Sequence, residues 1–347
     1  MEHVAIDLGR PNSMLCEVGL DGRKVTQGFR LDRRSLDRLF AERPRSRVLI
    51  ESGTESEWVA RHLEGLGHEV VVADPNYAAM YGERNRRVKT DRRDADALFE
   101  ANRGGVFHRA HRRSEAQRCV MSLLRVRGSL VRTRTRWINV VRALARGQGY
   151  RIRSGEPESF GQRAWELESC LPAYLTRLLQ VLVELLNGVN EKIAGLDREI
   201  AALGKRDPRV RLLQTAPMVG PLTATAFVAL IDDVSRFKKA HGVENYVGLV
   251  PSEWSSSEKR LKLGITKRGD CLVRWLLVEA SWSIMTRRRP DTFELRRWAN
   301  NIASRRKRKV AVVALARRLA GILYAMLRDN KPFDPTRLGQ STRTKVA

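Results

Sequence analysis

"RVLIESGTESEWVARHLEGLGHEVVVAD", residues 47–74, sets two short β-branched runs around an amphipathic stretch. The runs 47–52 and 69–74 read as strands, and "EWVARHLEGLG" (57–67) reads as a helix closed by Gly67. A strand, a helix and a second strand in that order make a β-α-β unit, which places the two strands parallel in one sheet. Working back from it, "HVAIDLG" (3–9) and "MLCEVGL" (14–20) read as a hairpin of strands. The first hundred residues are therefore expected to form an α/β domain with a mixed sheet.

The sequence carries 65 Lys+Arg against 39 Asp+Glu, a net charge of +26 and a pI near 10.9. That excess calls for a polyanionic partner, most simply nucleic acid. A hydrophobic content of 42% excludes global disorder. No stretch reads as the roughly 20 apolar residues that span a bilayer, and "MEHVAIDLGR" does not read as a signal peptide. Cys16, Cys119, Cys170 and Cys271 are far apart without a CxxC pair, so neither a zinc site nor a disulfide framework is expected and a reducing cytoplasm fits.

Beyond residue 103 the texture changes. Residues 103–146 hold twelve arginines, no lysine and one acid, Glu115. Val120, Leu124, Val131, Ile138 and Val141 supply an apolar stripe for one or two long helices. Arg118, Arg125 and Arg132 recur every seven residues and share a helix face, either a solvated surface or a face for phosphates, which suit guanidinium forks. A loop (147–161) follows. Leu175, Leu178, Leu182, Leu185, Val189, Ile193, Leu196 and Ile200 then step by three or four, an amphipathic helix of roughly seven turns. It serves either as a coiled-coil arm between copies or as packing on its own domain; Asn187, Gly188 and Asn190 weaken its middle. Residues 215–231 read as an apolar helix entered through a Val219-Gly220-Pro221 turn, similar to a phosphate-binding helix hairpin. "EWSSSEKR" reads as a polar loop, 286–310 carries ten basic residues against two acids, and 311–327 reads as the closing apolar helix. The tail is expected to fray.

One cluster of acids stands out in so basic a chain. "KTDRRDADAL" (89–98) puts Asp91 and Asp94 one helical turn apart, behind Lys89 and Thr90. Asp7 and Glu51 end the first strand and the "RVLIE" strand. The bland reading of the helix acids is a solvated N-terminus. The sharper reading brings all four carboxylates to one sheet edge. There, oxygen ligands suit one or two Mg²⁺ ions able to stabilise a phosphodiester in line. Asp96 is expected to point elsewhere on the helix and Glu100 to lie on the surface.

"AIDLG" with Asp7, "IESGT" with Glu51 and "KTDRRDADAL" with Asp91 and Asp94 resemble the DEDD signature of a RuvC-like, RNase H-type domain. That signature opens the insertion-sequence transposases of the one-ten type, the bridge-RNA-guided recombinases. "APMVGPLTATAF", "YVGLVPSEWSSS" and "GITKRGDCLVRWLLVEA" resemble successive blocks of that family's C-terminal transposase domain. The resemblance implies four segments: a RuvC-like domain with a basic helical extension (1–150), a linker and coiled-coil helix (151–204), a mostly helical domain bearing a catalytic serine (205–335), and a tail (336–347). Counting five residues from Pro251 gives Ser256 as that serine; Ser257 stands where the family has glycine, which leaves Ser255 and Ser257 as alternatives. Met218 likewise replaces a family glycine. A serine hydroxyl attacking a phosphodiester conserves its energy in a phosphoserine link. The resemblance further implies donor and target DNA, a guide (bridge) RNA that delegates sequence reading to base pairing, and a dimer or tetramer. Lys267, Arg268 and Arg274 are expected at the DNA backbone, while Trp254 is expected to pack the loop. The competing readings are a metal-dependent junction nuclease without covalent intermediate, and a non-catalytic nucleic-acid-binding remnant.

Overall fold

The computed structural model describes residues 1–19, 22–75, 91–256, 259–336 and 338, with backbone alone for 253–256 and 259–263. The chain divides into two compact units, residues 1–113 and 114–347. Lys89, Thr90, Ser257 and most of the expected tail lie outside the described residues.

The first unit is a five-stranded mixed sheet with helices. Its strands are β1 (Glu2–Asp7), β2 (Asn12–Val18), β3 (Lys24–Arg30), β4 (Ser46–Glu51) and β5 (Glu69–Ala73), in the order β3-β2-β1-β4-β5. β2 runs antiparallel to β1 and β3, whereas β1, β4 and β5 are parallel. Helix α1 (Arg33–Phe40) and helix α2 (Ser56–Gly65) contribute to one side, and α3 (Asp91–Gly104) covers the other. The β-α-β unit therefore stands as read, with Gly67 at φ +93°, a backbone that favours glycine. Period-2 alternation divides the core: Val4, Ile6, Val48 and Ile50 face α1 and α2, and Ala5, Leu49 and Ala73 face α3.

The second unit is mostly helical. Its helices are α4 (Glu115–Gly147), α5 (Phe160–Trp165), α6 (Ala173–Arg206), α7 (Pro208–Leu213), α8 (Pro221–Ile231), α9 (Ala240–Tyr246), α10 (Cys271–Thr286), α11 (Phe293–Ala303) and α12 (Arg308–Asp329). The 33-residue α4 lies along the 34-residue α6. Asn187, Gly188 and Asn190 do not break α6, which is longer than its apolar pattern implied. Its buried residues Leu175, Leu179, Leu186, Ile193 and Ile200 pack inward, while Leu178 (50% exposed) and Leu185 (45%) do not. The main core gathers α8, α10 and α12, with α8 buried almost all round.

Two expectations are corrected here. The polar "loop" is a β-hairpin: β6 (Pro251–Ser256) pairs antiparallel with β7 (Lys259–Ile265), and Ser256 opposite Lys259 leaves two residues to connect them. β6, with its run of serines, carries no apolar alternation, whereas Leu261, Leu263 and Ile265 of β7 do alternate at period 2, a strand signal that the loop reading passed over. Second, one helix, α12, is long and apolar enough to cross a membrane by length and composition, with mean hydropathy 1.8. Half of that window is buried in the protein, where α7, α9, α10 and α11 surround it; a core helix packed on several sides becomes apolar on several sides.

Candidate active site

Asp7 and Glu51 are the last residues of β1 and β4. Ile6 pairs with Ile50 in parallel register, so the two acids are the next neighbours along the same edge. Alternation puts both on the α3 face. Together they line an open cavity of about 430 Å³ with Leu8–Arg10 and Ser52–Glu55. The loop behind each acid is tied by a buried serine. Ser13 Oγ donates to Gly9 O (3.3 Å) and accepts from Gly9 N (3.2 Å). Ser56 Oγ donates to Gly53 O (2.9 Å) and accepts from Gly53 N (3.1 Å). Glu55, which the sequence reading missed, also lines the cavity; it pairs with Arg10 and accepts from Trp58 Nε1 at 2.5 Å. Trp58 stands only one helical turn along, but an acid and a tryptophan three apart do not by themselves mark a site.

Helix α3 brings the other two acids to this face. Asp91, Asp94, Ala95, Leu98 and Asn102 follow the 3.6-residue period, and the last three are buried against the sheet. Fully buried Asn102 donates through Nδ2 to Val4 O (2.8 Å) and Arg47 O (2.9 Å), fixing the end of α3 over the starts of β1 and β4. Its first turn consequently extends toward the opposite, carboxyl edge. Asp96 points elsewhere, as its helical position implied. It accepts from Thr26 Oγ1 (2.7 Å) and from Cys16 Sγ (3.3 Å). Burial, with Asp96 adding to it, pushes the Cys16 thiol up to about 11, so it stays protonated at neutral pH.

The donor set at this edge is all carboxylate, the chemistry that hard divalent cations take. Among the described residues, however, no three His, Cys, Asp or Glu side chains stand close enough to hold one ion. Asp7, Glu51 and Asp94 each have other interactions in this arrangement. The residues thus fit a divalent cation by chemistry and by face, with two acids already on one cavity.

In the second unit, Arg125 and Arg132 are exposed on α4 and Arg118 is partly so. Arg125 Nη2 lies 4.0 Å from Asp270 Oδ2, the N-cap of α10. Arg127 and Arg134 are a second seven-residue pair two positions along, hence turned by about 200°. They face α6: Arg127 Nη2 donates to Asp197 Oδ2 (3.1 Å), and buried Arg134 donates to Glu158 Oε1 (2.6 Å) and Asn190 Oδ1 (3.1 Å).

The serine hairpin grows from a tightly built root. Thr266 N donates to Val250 O (2.9 Å) and Lys267 N to Gly248 O (3.1 Å). Gly248 has φ +77°, and a Cβ there would stand 2.8 Å from Gly269 N. Arg274 Nη1 donates to Val247 O (3.0 Å) and Gly269 O (3.1 Å), so this guanidinium helps hold the root. Lys267 and Arg268 are exposed beside it, Lys267 at φ +56°. Ser255 and Ser256 are the last two residues of β6.

Two family models match the chain, the first of them reaching past the first unit through α4. Residues 4–147 match the model of the DEDD transposases of IS110 elements, described as a transposase, and 210–296 match the Transposase IS116/IS110/IS902 family. The transposase for insertion sequence element IS1328 of Yersinia enterocolitica is 30% identical over 330 residues, covering 95% of this chain and 98% of that protein. The probable family 20 transposase of Pseudomonas aeruginosa is 30% identical over 338 residues, covering 92% and 99%. The transposase for insertion sequence element IS1111A of Coxiella burnetii is 29% identical over 329 residues, covering 93% and 89%. The first segment contains Asp7, Glu51, Asp91 and Asp94 and the second contains the serine hairpin, and with near full-length relatives at 30% identity the chain belongs to the IS116/IS110/IS902 family of DNA transposases.

Proposed function

We propose that this transposase cuts and exchanges DNA strands through a phosphoserine intermediate, guided by RNA. The observation that carries the proposal is Asp7 and Glu51 at neighbouring parallel strand ends, lining one cavity on the face covered by the helix of Asp91 and Asp94. In this reading the mixed sheet is RuvC-like and RNase H-type. The four carboxylates would hold Mg²⁺, which when bound neutralises charge on the scissile phosphate. Ser256, at the end of β6, attacks that phosphate; its oxygen replaces an ester oxygen, and a DNA hydroxyl later displaces the serine. Arg118, Arg125, Arg132, Lys267 and Arg268 grip phosphates, and Arg274 supports the loop that presents the last two. A DEDD module over 1–150, a connecting helix over 151–204 and a serine module over 205–335 divide these tasks.

Strand exchange between donor and target DNA needs two duplexes and several cuts, which calls for a dimer or tetramer in the cytoplasm. Tyr174, Leu178, Val181 and Leu185 support this, because they form an exposed apolar stripe at steps of three and four on α6. Sequence reading by a bridge RNA suits a protein whose basic faces offer guanidinium and ammonium groups to backbones.

The test combines purified protein, Mg²⁺, element RNA and labelled donor and target DNA, with denaturation before analysis. A protein–DNA adduct lost in both Ser256→Ala and Asp91→Ala supports the mechanism. An adduct that survives Ser256→Ala moves the nucleophile to a neighbouring serine. Asp91-dependent cleavage with free ends and no adduct establishes the junction-nuclease reading instead. Activity retained in Asp91→Ala removes the acids from the chemistry.

A further inference from the structure

Helix α12 begins against the ordinary rules of helix electrostatics. A helix N-terminus carries partial positive charge and four unsatisfied N–H groups, and normally receives an acid or a Ser, Thr, Asp or Asn cap. Here the N-cap is Lys307, no side chain caps the helix, and its first turn has no acid. Arg305, Arg306, Lys307, Arg308 and Lys309 instead form an unbroken run of cations, all exposed. Arg308 lies over the Trp282 ring at 5.5 Å, which sets this end beside the last turn of α10. From that turn Arg287 and Arg288 continue, also exposed. The nearby acids are already taken: Asp291 pairs with Arg289 (3.0 Å) and Glu294 with Arg297 (2.6 Å). Among the described residues, Arg287, Arg288, Arg306, Lys307, Arg308 and Lys309 form no ion pair with a carboxylate.

Cations concentrated on an uncapped positive helix end repel one another and the helix dipole. A phosphate chain relieves both effects, because its oxygens accept from orphan N–H groups and from guanidinium forks together. We propose that this corner of α10 and α12 is a second DNA-backbone site, separate from the face of Arg118, Arg125 and Arg132, and that it holds duplex flanking the exchange. The choice of DNA rests on the family's established action on DNA. The corner's exposed surface is dominated by cationic side chains, which suit a continuous backbone, and its Trp282 ring lies under the Arg308 guanidinium; sequence-specific RNA readers stack splayed bases on aromatic rings.

The experiment measures binding of the full chain to a labelled 40-bp random duplex across a salt series, in chelator, so that strand chemistry is silent. The triple variant Arg306→Ala/Lys307→Ala/Lys309→Ala is compared with Arg30→Ala/Arg153→Ala/Arg328→Ala, which removes equal charge from three arginines paired with acids. Each lost phosphate contact lowers the slope of log affinity against log salt by about 0.9, so the first variant is expected to lose about 2 to 3 in slope and the second none. Between about 50 and 200 mM salt its deficit against wild type therefore shrinks roughly 40-fold. Lys307→Asp supplies a proper cap and is expected to raise the unfolding midpoint while weakening DNA binding, a pairing that simple misfolding does not produce. Equal slopes in wild type and the first variant overturn the proposal, as do equal losses in both triples. A deficit confined to an RNA hairpin, or to phosphatidylserine vesicles, assigns the corner to that partner and also overturns it. Absence of a serine adduct in the previous test leaves this result standing, since chemistry plays no part in it.

Discussion

Asn102 is the single side chain on which the placement of the α3 acids most depends. Both of its Nδ2 hydrogens are committed, to Val4 O at 2.8 Å and Arg47 O at 2.9 Å, in a fully buried position. Asn102→Ala leaves two carbonyls short of a donor, one buried and one partly buried; at about 1–3 kcal/mol each, partly relaxed, the expected loss is about 2–4 kcal/mol. Asn102→Asp is almost isosteric but should be worse. An introduced carboxylate would face two carbonyl oxygens at hydrogen-bond distance, so the folded protein instead protonates it. Holding a proton at pH 7 on a group with an ordinary pKa near 3.9 costs about 4 kcal/mol. The resulting O–H serves one carbonyl and leaves the other unpaired, for a total of about 5–6 kcal/mol. The sign follows from linkage: only the folded state keeps the proton, so stability recovers by about 1.4 kcal/mol per unit as pH falls toward 4. The assay is hydrogen exchange read by mass spectrometry on peptides covering β1, β4 and α3, corrected for intrinsic rates. Asn102→Asp should be the less protected variant at pH 7 and approach Asn102→Ala near pH 5. A gap between the two that does not change with pH would refute the reasoning.

Three shorter predictions follow from other parts of the molecule. Gly269→Ala would drive a Cβ into Tyr246 O and within 2.5 Å of the Val247 carbonyl carbon, so the root of the serine hairpin must open; with an overpacking cost of at least about 1–3 kcal/mol, adduct formation should be lost while salt-dependent DNA binding by α4 and α12 survives. Replacing Leu178 and Leu185 by lysine should lower the mass seen by light scattering without lowering the unfolding midpoint, because both side chains are half exposed in the single chain; an unchanged mass refutes assembly through that stripe. In the acid range, burial pushes the Asp207 and Glu158 carboxyls up, but hydrogen bonds from Arg209 and from the backbone with Arg134 more than offset it, leaving both below their ordinary values. Their stabilisation is accordingly complete above the unfolded pKa near 4 and is lost as pH falls through the lower folded values. Arg209→Ala should reduce neutral stability yet flatten the acid fall in the unfolding midpoint.

Much of the first unit could be read because its strands β1, β4 and β5 bury both faces, and a strand buried on both sides is a continuous apolar run. β3 escaped that test: it is an edge strand whose residues are mostly exposed, and its pattern is nearly all polar. α1 escaped as well, with only eight residues around Leu36 and Phe40. Among the arginines, sequence spacing could not tell the outward series 118, 125 and 132 from the inward pair 127 and 134. Both repeat by seven, and only the partners in reach, Asp197 and Asn190 on α6 and Glu158 just before α5, distinguish them. For the acids, strand ends and a helix turn were legible, and the face they share followed from alternation. Glu55 was not, since its ionic partner Arg10 comes from a distant segment and the local contact with Trp58 marks no site by itself.

The places where local preference and observed structure conflict point to function more sharply than the well-behaved core. Met218 adopts φ +60°, a region that costs a non-glycine residue roughly 1–2 kcal/mol, at the turn into α8. Its side chain packs on the main core, which offsets that cost, so this conflict is settled inside the protein. The cations at the start of α12 are compensated less: Arg308 lies over Trp282 and Arg305 donates to Asn301 O, but among the described residues Arg306, Lys307 and Lys309 pair with no carboxylate and are exposed at a helix end that repels them. Lys267 combines both features, a left-handed backbone and an exposed charge at the hairpin root. A sequence that keeps strained or repelling residues without a partner in its own fold is specifying a partner outside it. For a transposase that partner is a polyanion, and the contacts proposed at Lys267 and at α12 would be two separate stretches of its path over the second unit.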